Sequence, residues 1–407
     1  MEIRPILSAM LRNKTGAVLV VLQIALTMAV VVNASFIINQ RLEKMNRDTG
    51  IDVDNILIFQ SWGFGDDYNH EASITRDIEY IRSMPGVIAV TPTRSLPVSN
   101  SGSANDFRAT AERFDENNVE YPSVNANTYV WNEQGIDAVG VKLAAGRSFY
   151  AEEVQFRESR SSEFAPVTII TKDLAIKMFG TEDALGKTVY DFFGNAAEVV
   201  GIIEHMQGAW IDWDELTNVI ISPGVSAGPF IRFMVRTEAG RRDELIAAIE
   251  EQLPKLDRGR MIRRVEPFSD VVRHAYSRDH SMTILLLSTI ILLVSITSLG
   301  IIGLASFAVR QRTKQIGTRR AVGATRMDIV RYFMMENWLV TTIGVVLGSI
   351  LALAFNVWLV DTYALDKLDW HYIPLGMLAL WVLGQVAVLM PAMRASTIAP
   401  AVATRTV

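Results

Sequence analysis

RQRTKQIGTRRAVGATRMDIVRYFMME, residues 310–336, decides how this chain is built. Seven cations (Arg310, Arg312, Lys314, Arg319, Arg320, Arg326 and Arg331) stand against two acids, Asp328 and Glu336. Gly323, Ala324 and Thr325 break the stretch, and a membrane-length apolar run lies on each side. Short loops rich in Arg and Lys stay on the cytoplasmic side of a membrane. This loop therefore fixes the orientation of the chain. It also sets a small shaped knob between two membrane helices, in reach of a soluble partner.

The flanking apolar runs are residues 283–309 and 338–360, and a fourth span occupies 373–393, its apolar part ending before Pro391. The first is GAVLVVLQIALTMAVVVNASFII, residues 16–38, preceded by Arg4, Arg12 and Lys14. As a helix its 23 residues reach about 35 Å, enough for a bilayer core. A signal peptide cleaved after Ala34 is the rival reading; the apolar run continuing to Ile38 favours a retained span. Residues 1–15 are expected in the cytoplasm, with 3–11 either lying along the inner membrane surface or extending the first helix. The loop 361–372 carries Asp361, Asp366 and Asp369 against Lys367 alone and belongs outside. The loop 310–337 and the tail 394–407 then lie inside, and both termini are cytoplasmic. Trp338, Trp358, Tyr363, Trp370 and Tyr372 sit near span ends, where amphipathic rings favour the interface.

Within the spans the polar residues are few, among them Gln23, Asn33 and Gln385 besides Ser and Thr, and no ionisable residue lies at a midplane. That pattern argues against an ion or proton pathway. Small residues recur at four-residue spacing: Ala25 and Ala29, then Gly344, Gly348 and Ala352. They predict a helix-packing face within the chain or a dimer seam.

Residues 39–282 form a large extracytoplasmic domain. Strand-like 56–59, helix-like 73–83 opened by a Ser cap, and strand-like 87–90 make one β-α-β unit. A second comprises 231–235, 240–253 and 261–265. Two such units far apart predict one α+β subdomain split by an insertion near residues 125–222, with strands at 167–170 and 199–203.

Half the residues are hydrophobic, the formal charge is −5 and there is no cysteine. Disulfides, thiolate nucleophiles and Cys-ligated metals are excluded. The cations cluster as a topology signal rather than a nucleic-acid footprint. Gly180 and Gly186-Lys187-Thr188 resemble a phosphate-binding loop, but five residues separate the glycines where the motif needs four. The histidines show no HExxH spacing and no Gly-x-Ser-x-Gly elbow exists. No catalytic, cofactor or metal residue is expected, and the chain reads as a non-enzyme.

The layout and several local patterns resemble the MacB/FtsX-like permease family of ABC transporters. RTKQIGTRRAVGATR, residues 312–326, is similar to the family's RTREIGIRRAxGAxR. PAMRASTIAPA, residues 391–401, resembles its C-terminal PAxRAARLDPVEAL. IDAVGVKLAAGRSF (136–149) and MFGTEDALGKTVYDFFGNAAEVVGI (178–202) are similar to two external motifs. The family's Asp-Pro is here Ala399-Pro400, its DPIGK proline is Ala184, and no ATPase domain is fused to this sequence.

The resemblance implies four transmembrane helices in a one-plus-three arrangement, with a periplasmic α+β domain of porter and sabre parts. Thr318, Arg319, Arg320, Ala321, Val322, Gly323, Ala324 and Thr325 become the coupling helix against a separate ABC ATPase dimer. That ATPase uses the ATP and Mg; this chain binds no cofactor. A second permease chain, identical or related, pairs with it in the bacterial inner membrane, among lipid. A periplasmic adaptor and an outer-membrane duct are further partners; nucleic acid is not. The implied function is mechanotransmission: ATP-driven movement of the periplasmic domain exports a peptide, antibiotic, toxin or lipoprotein-type substrate. An alternative within the fold is an FtsX-like regulator of a cell-wall hydrolase. Another class, a membrane sensory receptor, fits poorly because no signalling domain follows the last spans.

Overall fold

A computed structural model describes residues 14–65, 67–114, 121–158, 164–363 and 365–399. Residues 1–13 of the expected cytoplasmic segment and 400–407 of the expected tail lie outside the described residues. The chain divides into a membrane unit, Met1–Asn46 with Asp279–Val407, and a domain, Arg47–Arg278. Helix α1 (Lys14–Met45) belongs to the membrane unit.

The domain begins with β1 (Ile56–Gly63), α2 (His70–Arg82) and β2 (Val87–Thr93). An insertion follows: β3 (Ala104–Phe107), β4 (Val124–Trp131), α3 (Gly135–Val139), β5 (Leu143–Gly146), β6 (Phe156–Glu158) and β7 (Val167–Thr171). It continues through α4 (Lys172–Phe179), β8 (Thr188–Tyr190), β9 (Ala196–Ile203), β10 (Val219–Pro223) and β11 (Val225–Ala227). The chain then returns as β12 (Phe230–Thr237), α5 (Arg242–Leu256), β13 (Arg260–Pro267) and α6 (Phe268–Ala275).

The four-stranded sheet has the order β13-β1-β12-β2, with every neighbour antiparallel. β12 therefore lies between β1 and β2, and β1 lies between β12 and β13. Two β-α-β units interleave, which is the ferredoxin-like split arrangement. Phe59 faces Phe233 across the central pair, their rings stacked at 4.5 Å. Ile74, Ile78 and Ile81 of α2 and Leu245, Ile249 and Leu253 of α5 pack with them in one core. The helical spacing of these apolar residues gives each helix a face to bury on the sheet.

The expected Ser cap of α2 is corrected. The helix starts earlier, at His70, and Asn69 caps it by accepting from the Ala72 amide at 2.9 Å. Ser73 is instead buried in the helix, where its hydroxyl accepts from the Tyr68 hydroxyl at 2.6 Å. The second sheet, order β3-β4-β10-β7-β9-β5 with β8 beside β9, begins before residue 125, at Ala104. β3 reads ANDF, so it shows no apolar alternation, and only Phe107 is buried. Gly146, in the 136–149 motif, has φ +78, and a Cβ there would lie 2.3 Å from the Val200 carbonyl oxygen. Gly186-Lys187 turns into a strand rather than a helix, so the phosphate-loop likeness ends there.

In the membrane unit α7 (Ser277–Gln311) and α8 (Thr313–Ala321) precede α9 (Arg326–Tyr363) and α10 (Tyr372–Ser396). α1, α7, α9 and α10 are long and apolar enough to cross a membrane. Each outruns its apolar core, because backbone hydrogen bonding continues into the polar flanks. α1 packs on α9 at two glycines. A Cβ on Gly344 would lie 2.8 Å from Ile24 Cβ, and one on Gly348 would lie 2.4 Å from Met28 Cβ and 2.8 Å from the Ala25 carbonyl oxygen. Buried polar groups are tied across helices: Asn33 donates to the Ala352 carbonyl at 3.1 Å, Asn337 to that of Gly384 at 2.9 Å, and Thr27 and Thr297 hydroxyls meet at 2.7 Å.

Two changes test this packing. Arg260 of β13 forms a buried ion pair with Asp77 of α2, both side chains 1% exposed. Burial raises the Asp77 carboxyl above its ordinary range, and the Arg260 hydrogen bond and charge pull against it. Asp77→Ala is expected to cost about 3–5 kcal/mol in urea unfolding, since Arg260 stays buried alone. Asp77→Leu combined with Arg260→Met is expected to cost far less; equal losses contradict the assignment. Gly348→Val is expected to lower thermal stability in detergent by about 1–3 kcal/mol through overpacking. Gly303→Ala, whose new carbon meets nothing within 4 Å, is expected to leave it unchanged.

Candidate functional site

The basic stretch folds as a short helix held tightly at its base and open at its tip. α7 ends at Gln311, and Arg312 leaves the helical region at φ −102, ψ 12. Its guanidinium forms a bidentate pair with Glu336 of α9, at 2.7 and 3.1 Å. Burial weakens the Arg312 charge, but the hydrogen bonds and charge of Glu336 outweigh this and raise its proton affinity. Bidentate pairs of this kind fix geometry as well as energy. They are out of reach of local sequence patterns, because the partners are 24 residues apart.

α8 has one buried side, Ile316 and Gly317. Ile316 packs with Ile329 and Phe333 of α9 and with Ala392 and Ala395 of α10. The expected coupling helix over Thr318–Thr325 is corrected here. Helix α8 runs Thr313–Ala321, and Val322, Gly323, Ala324 and Thr325 form the turn into α9. Gly323 has φ +105, a conformation that ends a helix and that other residues rarely adopt. Thr325 then caps α9: the Asp328 amide donates to the Thr325 hydroxyl at 3.2 Å, and the Thr325 amide donates to the Asp328 carboxylate at 3.0 Å. This reciprocal pair is a capping box, with Asp in the usual Glu position.

Arg319 and Arg320 turn back onto the protein. The Arg319 guanidinium lies 5.0 Å from the Tyr332 ring centre, and Arg320 donates to the Ser396 carbonyl at the end of α10. Among the described residues neither pairs with a carboxylate. What faces outward is Thr318, Ala321, Gly323, Thr325 and above all Val322, which is 84% exposed. Val322 is thus a bare apolar side chain on a tip of small residues with Arg319, Arg320 and Arg326 beside it. The local spacing marks the small residues but does not single out Val322.

Ala25, Ala29, Gly344, Gly348 and Ala352 come together as one face, but inside the chain. All five are buried, and the glycines press α9 on α1. The dimer-seam alternative is thereby corrected: close intrachain packing leaves no surface there for a second chain. At the other end of the membrane unit Asp279, 3% exposed in the first turn of α7, is gripped by Arg41 and by Lys44 of α1, the latter at 2.9 Å. Among the described residues no cluster of His, Asp or Glu is arranged to hold a metal ion.

Residues 286–400 match the family model of the FtsX-like permease C-terminal region. Over 371 residues the chain is 27% identical to the macrolide export ATP-binding/permease protein MacB of Neisseria gonorrhoeae, covering 87% of this chain and 53% of that one. The MacB of Neisseria meningitidis is 27% identical over 397 residues, covering 93% and 55%. The chain spans about half the length of the curated relatives it matches. The crystal structure of the periplasmic region of MacB from Actinobacillus actinomycetemcomitans aligns with 57% of this chain and 98% of its own, at 19% identity and a TM-score of 0.34. The extracellular domain of the noncanonic ABC-type transporter YknZ covers 51% and 99%, at 16% identity and a TM-score of 0.31. Scores of this size decide nothing about the fold, which rests on the strand order and the four long helices. Residues 286–400 thus carry an FtsX-like permease C-terminal region, most of the chain is similar in sequence to MacB, and four helices are long and apolar enough to cross a membrane.

Proposed function

We propose that this chain is the non-catalytic membrane subunit of an ATP-driven complex in the bacterial inner membrane, with both termini cytoplasmic. A separate ABC ATPase dimer, which binds the ATP and Mg, docks on the Val322 turn. The observation that carries this reading is the exposed Val322 on a tip whose base is immobilised. Ile316, the Arg312–Glu336 pair and Arg320 tie α8 to α9 and α10. A push on the tip therefore moves those helices rather than bending a loop.

The motion passes along the helices to the neck, where Asp279 joins α1 to α7, and from there to the domain at Arg47–Arg278, which lies outside the membrane. The spans carry no ionisable midplane group and serve as levers rather than as a pore. A second permease chain, identical or related, completes the assembly; α7 is the least buried of the four spans and is the helix best placed to meet it. The substrate class is a peptide, antibiotic, toxin or lipoprotein-type molecule already outside the inner membrane. Macrolide export by the MacB relatives falls within this class. An adaptor and outer-membrane duct would complete the export route.

The test uses the complex purified with its ATPase. Val322→Asp places a charge at a position too exposed to matter for folding. It is expected to lower permease-dependent ATP turnover about tenfold or more, equivalent to at least about 1.4 kcal/mol of lost coupling, with thermal stability unchanged. Unchanged turnover in an intact complex would contradict docking at this turn. Gly323 is a poorer probe, because any side chain there also strains the backbone.

A further inference from the structure

The far face of the four-stranded sheet, turned away from α2 and α5, floors an open cleft of 590 Å³ within the Arg47–Arg278 domain. Pockets of about 300–1,000 Å³ take ligands of drug-like size. Leu57 and Phe59 of β1 belong to the core, so Ile58 and Gln60 between and beyond them face the cleft. The loop at residues 96–101 and the last turns of α6 form its walls.

Backbone strain gathers around this cleft. Among the described residues three other than glycine have positive φ: Val98 at 47°, Asn100 at 55° and Arg264 at 50°. Asn100 and Arg264 line the cleft, and the buried Val98 lies in the same walling loop. A left-handed backbone is rare for a branched residue such as valine, and strain of this kind clusters at ligand sites. At Arg264 its origin is visible. Ile58 faces Glu266 but Gln60 faces Arg263, so Arg264 and Val265 together stand against Phe59. This is a β-bulge, which re-aims a side chain, at a backbone conformation that glycine would adopt without strain. An arginine is held there instead, and it lines the cleft.

The polar groups beside the bulge are open to a ligand. Gln60 is 8% exposed, and among the described residues its carboxamide has no hydrogen-bond partner. A buried amide left unpaired is costly. Arg232, across from Gln60 on β12, lies 4.6 Å from the centre of the Phe230 ring and donates to the Arg94 carbonyl. Burial, and then the neighbouring charge of Arg264, lower its proton affinity, so the two guanidinium groups stand close together. Among the described residues neither forms an ion pair with a carboxylate. Glu266 lines the same cleft, partly buried and likewise without an ion pair among the described residues. It lies two strands and two residues from Arg232, about 12 Å between Cα atoms by ordinary sheet spacings. The cleft thus offers a cationic end, a carboxamide in the middle and an acidic end.

We propose that this cleft binds a short peptide with free termini. Arg232 and Arg264 hold its carboxylate, since planar guanidinium groups match carboxylate oxygens. Gln60 pairs with a peptide group, and Glu266 holds the ammonium. Three extended residues span about 10 Å, which suits the separation of the two charged ends. This narrows the substrate class proposed above to peptides and rests on that reading. The site lies wholly within one domain and its binding is read without the ATPase, so failure here leaves docking at Val322 standing.

Calorimetric titration of the full chain in amphipol with trialanine, N-acetyl-trialanine and trialanine amide tests this. Trialanine is expected to bind, and each end-blocked peptide to bind about tenfold more weakly. Arg264→Gly, whose glycine suits the left-handed backbone, is expected to keep the parent's melting temperature and to weaken trialanine about tenfold. Glu266→Gln is expected to weaken trialanine about tenfold while leaving N-acetyl-trialanine unchanged. Gln60→Leu, which removes an amide that has no partner in the fold, is expected to weaken it several-fold. Should Arg264→Gly not fold, Glu266→Gln and Gln60→Leu decide. The proposal is overturned if trialanine does not bind by about 1 mM, if either blocked peptide binds as tightly as trialanine, or if the folded variants bind as the parent does.

Discussion

Asp279 holds together the two places where the chain passes between its membrane unit and its large domain. The chain makes that passage after Asn46 and again before Asp279. At this neck one buried carboxylate is shared by Arg41 and Lys44 of α1. Removing one member of such a group leaves a buried charge uncompensated, at about 3–5 kcal/mol. The end of α1 and the start of α7 are therefore bound as one support.

The same economy of polar contacts runs down the membrane unit. Backbone polar groups in lipid must be satisfied within the segment, which leaves helices as the means of spanning here. The helices then meet through glycines at 344 and 348 and through single side-chain bonds from Asn33 and Asn337. At the other end of α7 the bidentate Arg312–Glu336 pair fixes the turn from α7 into α8. Between Asp279 and this pair the helices also share a buried apolar core that includes Val20, Ile24, Met28, Val340, Val345 and Val388.

Much of this was legible in the residues. The four spans followed from apolar runs long enough for a bilayer, and the split α+β domain from two helix-and-strand patterns lying far apart. Both are signals of local periodicity and composition, and the observed one-plus-three helices and interleaved sheet agree with them. What escaped was long-range or conformational. Ser73 resembled a cap by type, but Asn69 occupies that place because α2 begins a turn earlier. The basic segment was expected as a helix over residues 318–325, yet the helix stops at Ala321, since the backbone of Gly323 turns left-handed. The small residues of α1 and α9 fitted two kinds of contact equally, and only their burial decides for intrachain packing. Asp279 with Arg41, Arg312 with Glu336, and the arginines of the cleft are brought together by folding across tens to hundreds of residues, which no local pattern records.

The central claim is that the Val322 turn faces the cytoplasm and the Arg47–Arg278 domain faces the opposite side. The absence of native cysteine makes the measurement clean. Val322→Cys and Glu250→Cys, both at exposed positions, are treated in intact spheroplasts with a membrane-impermeant maleimide. The account predicts that Glu250→Cys is labelled at once and Val322→Cys only after the membrane is permeabilised. Labelling of Val322→Cys from outside, with Glu250→Cys protected, would contradict it.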